Sequence, residues 1–291
     1  MHRFQTIDEM RAWSRQRAAA GQRIGLVPTL GSLHEGHRHL VDSMREHVDH
    51  VVVSIFVNPT QFGAGEDLEQ YPRDIDRDRQ VLQGCLVDCL FHPTVSEMYP
   101  TPGVISVESG VLGQRLCGRT RQGHFAGVLT VVLKLMHIVE PHVALFGRKD
   151  YQQLVLIKRM VRDLDLPIDV LSAPIVRDAD GLAVSSRNQY LSGEHRQAAP
   201  VIARALDAAH AYFCDGERAP TALVERARTV LDAQPEIEVE YLEVVHQASL
   251  AALPTAEASS VMALAVRLGQ TRLIDNIALG SGTRADTRVP A

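Results

Sequence analysis

Val51-Val52-Val53-Ser54-Ile55-Phe56-Val57 is the stretch on which the fold turns. β-Branched and aromatic residues follow one another with almost no polar alternation, so the segment reads as a strand buried on both faces of a sheet. It stops at Asn58-Pro59, a turn signal. Working outward, residues 24–27 read as a second buried strand, and residues 36–47 as a helix between the two with Leu40, Val41 and Met44 inward. The alternation continues downstream with a helix at 74–83, a strand at 88–91 and an apolar helix at 128–139. A strand at 142–146, a helix at 150–164 and a strand at 168–171 complete it. Thr6-Ile7-Asp8-Glu9 reads as a capping box that opens a helix over 7–20. Strands separated by helices require right-handed crossovers and a parallel sheet. The expected fold is α/β, with a doubly wound, Rossmann-like parallel-sheet domain over residues 1–175.

The pattern changes near residue 175. Ile175-Val176-Arg177, Asp178-Ala179-Asp180-Gly181 and Leu182-Ala183-Val184 read together as a hairpin around a turn-rich loop. Two Ala/Arg-rich helices at 194–213 and 220–233 follow, then strands at 239–245, 261–266 and 271–279. Helices followed by an antiparallel sheet predict a smaller α+β domain over residues 176–291. Residues 283–291 read as a frayed tail.

The chain has 291 residues, 45% of them hydrophobic and 22% charged, as in soluble globular proteins. No run approaches the ~18 apolar residues of a membrane span, and the N-terminus lacks an apolar secretory core, so a cytoplasmic location and no membrane partner are expected. Thirty basic against 35 acidic residues give a net charge of −5, the wrong sign for wrapping a nucleic acid. A small basic pocket for one anionic ligand remains open. Lys134, Lys149 and Lys158 are the lysines in an otherwise arginine-based set, which marks Lys149 because a compact ammonium and a planar guanidinium suit different sites. Cys85, Cys89, Cys117 and Cys214 show no paired CxxC spacing and read as free thiols.

In parallel α/β sheets ligands gather at the carboxyl ends of the strands. The first such end carries Leu30-Gly31-Ser32-Leu33-His34-Glu35-Gly36-His37. Two imidazoles three residues apart at a helix start, beside free backbone N–H groups, suit a polyphosphate; a surface or zinc role is the alternative. Neither GxGxxG nor GxxxxGK[ST] is present. The next end carries Asn58 and Gln61, which can donate and accept to a hydroxy acid or simply cap the loop. Asp74, Asp76 and Asp78 can hold Mg²⁺ or form a solvated helix start. Gly147-Arg148-Lys149-Asp150 again combines a glycine, cations and a helix N-terminus, with Gln153 on the first turn. Ser185-Ser186-Arg187-Asn188 suits a lid over a triphosphate.

These blocks, together with Glu66-Asp67-Leu68, Tyr71-Pro72-Arg73 and Gly123-His124-Phe125-Ala126-Gly127-Val128, resemble the pantothenate synthetase (pantoate–β-alanine ligase) family. That family belongs to the nucleotidyltransferase group, whose catalytic domain is similar to class I aminoacyl-tRNA synthetases. The resemblance spans residues 24–191. It implies ATP-dependent condensation of pantoate with β-alanine through a pantoyl adenylate, with Mg²⁺, in a cytoplasmic homodimer. Carried over residue by residue, His34, His37, Lys149 and Arg187 would be catalytic, with His37 the proton donor. Residues 30–37, 147–150, Val176 and Val184-Ser185-Ser186-Arg187 would line ATP. Gln61 and Gln153 would hold pantoate, Asn58, Gln61 and Arg121 would face β-alanine, and His124 would neighbour the nucleotide. Asp78 would be the magnesium ligand. Leu30 and Val184 stand where the family usually has methionine, and Gln122 where it has proline. Two other readings stay open: a nucleotidyltransferase that keeps the nucleotide in its product, and a nucleotide-binding module without catalysis.

Overall fold

The computed structural model describes residues 1–101, 103, 105–280 and 286–288. In chain order the elements are β1 (His2–Phe4), α1 (Ile7–Ala19), β2 (Ile24–Thr29), α2 (Glu35–Arg45), β3 (His50–Ile55), α3 (Ile75–Gly84), β4 (Cys89–Phe91) and α4 (Val95–Met98). There follow α5 (Cys117–Thr120), α6 (His124–Val139), β5 (Val143–Gly147), α7 (Tyr151–Asp163), β6 (Asp169–Ala173) and β7 (Val176–Arg177). The remainder is α8 (Gly193–Ala198), α9 (Val201–Cys214), α10 (Pro220–Leu231), β8 (Ile237–His246), β9 (Ser260–Leu268), β10 (Thr271–Ala278) and β11 (Thr287–Arg288). No helix among the described residues is long and apolar enough to cross a membrane.

The chain divides into two units. The first comprises residues 1–113, 121–147 and 156–173, and the second comprises 114–120, 148–155 and 174–291. In the first, six parallel strands run in the order β1-β4-β3-β2-β5-β6. The sheet is covered by helices, as its apolar strands require. β3 pairs in register with β2, Val51 opposite Gly25 and Ile55 opposite Thr29. Strand order reverses at the neighbours β2 and β5, the place where a doubly wound sheet opens a crevice at its carboxyl edge. Val27, Val51, Val53, Leu90 and Leu145 join Val41 and Met44 of α2 in one buried cluster. In the second unit an antiparallel sheet, β10-β9-β8, buries Met262, Leu264 and Val266 against Ile202, Leu206 and Leu223 of α9 and α10.

The α/β expectation holds, with an α+β unit following it. The Thr6 capping box is present, with Thr6 and Glu9 bonding each other's backbone N–H. Three local expectations change. His2-Arg3-Phe4, too short and polar to signal a strand, is held in place by parallel pairing with β4. The helix expected over 194–213 is two helices, because Pro200 has no N–H to continue the ladder between α8 and α9. Within the expected tail, Thr287–Arg288 pairs with Val176–Arg177; residues 283–285 and 289–291 of that tail lie outside the described residues.

Candidate active site

In the first unit, the loop after β2 is shaped from below by α3. Gly31 adopts φ +87°, and a Cβ there would lie 2.9 Å from an Asp78 oxygen. Asp78 accepts the N–H groups of Ser32 at 2.9 Å and Leu33 at 2.7 Å. It is 2% exposed, and that burial raises its pKa despite the two donors. Of the acidic run, Asp74 caps α3 and Asp76 is an exposed first-turn residue, while Asp78 turns inward onto the loop. No group of three or more His, Cys, Asp or Glu among the described residues is arranged to hold a metal ion.

His34 and His37 sit where the helix start predicted. His34 is the N-cap of α2, and its Nδ1 accepts the Gly36 N–H at 3.2 Å. His37 reaches back so that its Nδ1 accepts the His34 N–H at 3.3 Å. The ring centroids are 4.1 Å apart. With each Nδ1 used as an acceptor, the proton of the neutral imidazole lies on Nε2. The pair is a reciprocal cap that fixes both tautomers.

The end of β3 is organised by Asn58, which is fully buried. Its Nδ2 donates to Gln61 Oε1 at 3.1 Å and to the Gly127 carbonyl at 3.2 Å. Its Oδ1 accepts from Tyr99 Oη at 3.0 Å and from the Thr60 N–H and hydroxyl. Asn58 therefore caps the 3-10 turn Pro59–Gln61 and orients the Gln61 carboxamide.

Arg121 and His124 stand beside that turn. Arg121 grips Glu66 through two bonds, Nε to Oε1 at 2.7 Å and Nη2 to Oε2 at 2.6 Å. Burial alone would raise the Glu66 carboxyl; the guanidinium overrides it and holds the pKa down to about 2. Arg121 Nη1 lies 3.0 Å from His124 Nε2, and His124 Nδ1 lies 2.7 Å from the Gln61 carbonyl. A guanidinium only donates and a carbonyl only accepts, so His124 carries its proton on Nδ1. Glu66, Arg121, His124 and Gln61 thus form one chain of bonds. No local signal in the sequence marks Glu66 for this role, because its partner lies 55 residues away.

In the second unit, Arg148 and Lys149 present their carbonyls to one side chain, Asn276 of β10, whose Nδ2 donates to both at 3.0 Å. Asp150 is exposed, and Gln153 lies half-buried on α7. Burial raises the neighbouring Tyr151 phenol to about 12, and its hydroxyl donates to the Gln247 carbonyl at 3.0 Å. Val176 accepts the Val184 N–H at 2.9 Å, so the strand and the returning loop are joined as the hairpin reading expected. Ser185 caps a 3-10 turn over Ser186–Tyr190 by accepting the Arg187 N–H. Beside Val176, the buried Arg177 pairs with Asp275 at 2.6 and 2.8 Å and with Asp286 at 2.5 Å. Sequence reading missed Arg177, Asp275 and Asn276; two adjacent polar residues inside Leu273-Ile274-Asp275-Asn276-Ile277 were the available signal.

Residues 2–278 match the family model described as pantoate-beta-alanine ligase. The chain belongs to the pantoate-beta-alanine ligase family. A pantothenate synthetase of Heliobacterium modesticaldum is 50% identical over 277 residues, 95% of this chain and 99% of that protein. One from Geotalea daltonii is 48% identical over 280 residues, 96% of this chain and 99% of its own. A crystal structure of the pantothenate synthetase from Thermus thermophilus superposes with a TM-score of 0.92 at 45% identity, covering 97% of this chain and 100% of that one. A pantoate-beta-alanine ligase from Francisella tularensis, solved in complex with beta-gamma ATP and beta-alanine, gives 0.81 at 32%, covering 97% and 99%. Like those relatives, this chain is an enzyme that forms pantothenate. The match takes in the second unit as well, beyond the span of the motif blocks.

Proposed function

We propose that the chain condenses (R)-pantoate with β-alanine at the expense of ATP through a pantoyl adenylate, releasing AMP and pyrophosphate and supplying a coenzyme A precursor. In the first step a pantoate carboxylate oxygen bonds to the α-phosphorus while the bond from that phosphorus to the pyrophosphate oxygen breaks. In the second, the β-alanine nitrogen bonds to the acyl carbon, the bond to AMP breaks, and the amine proton passes to solvent. Both displacements crowd anionic oxygens together. The demand is positioning and charge compensation rather than a covalent enzyme intermediate.

The reciprocal cap of His34 and His37 is the observation that carries this reading, since it sets two imidazoles, each with its proton on Nε2 in the neutral form, at the helix N-terminus that follows the carboxyl end of β2. In the proposed reaction their Nε2–H groups donate hydrogen bonds to phosphate oxygens, His37 to the departing pyrophosphate oxygen. Lys149 offsets charge at the reacting phosphate, and Ser185, Ser186 and Arg187 close over it. Residues 30–37 and 147–150 with Val176 and Val184 line the nucleotide, and His124 neighbours it. Gln61, oriented by Asn58, and Gln153 hold pantoate, while Arg121 serves the β-alanine side. The beta-gamma ATP and beta-alanine bound to the Francisella tularensis relative support both substrates. Mg²⁺ would enter with the triphosphate, and when bound it neutralises the pyrophosphate oxygens. Each Asp78 oxygen already accepts one backbone N–H, so what it offers a cation is a remaining lone pair. The reading extends to a cytoplasmic homodimer with residues 176–291 supplying the lid.

Incubation with ATP, pantoate and β-alanine followed by mass detection is expected to give pantothenate, AMP and pyrophosphate. Labelled pyrophosphate is expected to exchange into ATP with pantoate alone. Exchange that also needs β-alanine would replace the adenylate with a concerted reaction, and a stable nucleotide conjugate as product would overturn the reading.

A further inference from the structure

We infer that Asn276 is a positioning residue for Lys149, and that Asp275 and Arg177 hold it in place. The inference rests on the proposed role of Lys149 at the reacting phosphate and adds to it how that side chain is aimed. The carbonyls of Arg148 and Lys149 belong to the two peptide planes on either side of the Lys149 Cα. Asn276 Nδ2 bonds both, each at 3.0 Å. Fixing the planes before and after one Cα fixes its φ and ψ, and with them the direction in which the Cβ leaves the backbone. A carboxamide NH₂ has two hydrogens, one for each carbonyl. An aspartate at this position would set two acceptors against two acceptors, and an alanine would leave both carbonyls without this donor.

The bracket is itself braced. Asn276 is 6% exposed, and its backbone N–H donates to Asp275 Oδ1 at 2.8 Å. Asp275, 3% exposed, takes the Arg177 guanidinium through both oxygens, and Arg177 also bonds the Gly181 carbonyl at 3.1 Å. One dipeptide of β10 thereby ties down the segment that carries Lys149 and the strand that carries Val176. Backbone ordering costs free energy at every residue, so a backbone already fixed at Lys149 removes part of the positioning cost from the transition state.

The test is a double-mutant cycle on adenylate formation, read as single-turnover pyrophosphate release with ATP and pantoate. Asn276→Ala is expected to lower the rate constant by about ten- to a hundredfold, the scale of a small misplacement of a catalytic group, with a much smaller change in KM for ATP. In the Lys149→Ala background the same substitution is expected to add almost nothing, because its effect passes through the ammonium. Equal losses in both backgrounds, or no loss in the native one, overturn the inference. Should Asn276→Ala not fold, Asn276→Ser, which keeps one donor, carries the same cycle. A Lys149→Ala enzyme with undiminished adenylate formation would instead overturn the functional reading, so the two failures are told apart.

Discussion

Glu66 shows how one carboxylate can set the state of several side chains around it. Its two oxygens engage Arg121, whose guanidinium fixes His124 with the proton on Nδ1, and that proton bonds the Gln61 carbonyl. Glu66→Gln keeps the shape but leaves the part-buried guanidinium without its counter-charge, at a cost of about 1–3 kcal/mol near neutral pH. A carboxyl lowered from 4.5 to about 2 contributes stability in full above 4.5, and that contribution is lost as pH falls toward 2. Thermal unfolding of the native chain and of Glu66→Gln from about pH 7 to about pH 3.5 is therefore expected to show a constant gap that narrows once the unfolded-state carboxyl begins to protonate. A gap that widens with acid would contradict this account. Near neutral pH Glu66 should leave no inflection in the rate profile.

At the scale of elements, the approach of α6 to the turn after β3 decides where Asn58 and Gln61 stand. A Cβ on Gly127 would lie 2.3 Å from the Thr60 carbonyl oxygen and 2.7 Å from the Gln61 nitrogen, so helix and turn touch backbone to backbone. Gly127→Ala gains about 1 kcal/mol in helix propensity but meets about 1–3 kcal/mol of overpacking. The expected result is a lower denaturant midpoint together with a raised KM for pantoate; a stabilised enzyme with native kinetics would refute it. Contacts of this kind were the part that sequence could not disclose. β3 was legible because Val51-Val52-Val53 can only be buried, and α2 because Leu40, Val41 and Met44 share a face with His34 and His37 at its start. The histidine loop was legible in its place at the start of that helix. β1 was not, since three polar-to-aromatic residues become a strand only when β4 is beside them. The Glu66–Arg121 and Asn276–Lys149 relations join positions 55 and 127 residues apart, where no periodicity reaches.

For the molecule as a whole, stability rests on packed cores rather than covalent cross-links. Cys85, Cys89 and Cys117 are buried free thiols and Cys214 is exposed; burial pushes Cys89 up to about 12. A thiol-reactive chromophore is expected to titrate one group quickly in the native protein and all four in denaturant. Two or more fast groups would mean that the buried thiols are reached by local opening. A reductant should leave the unfolding midpoint unchanged. The division of the chain has a further consequence. Residues 148–155, which include Lys149, group with the later unit although they are encoded before residue 174, as do residues 114–120. A gene cut near codon 175 would yield a leading fragment whose lysine loop is severed from the asparagine that braces it, and a trailing fragment with that bracket left empty. Splitting this protein as though it were two beads on a string would separate parts that inheritance must keep on one thread.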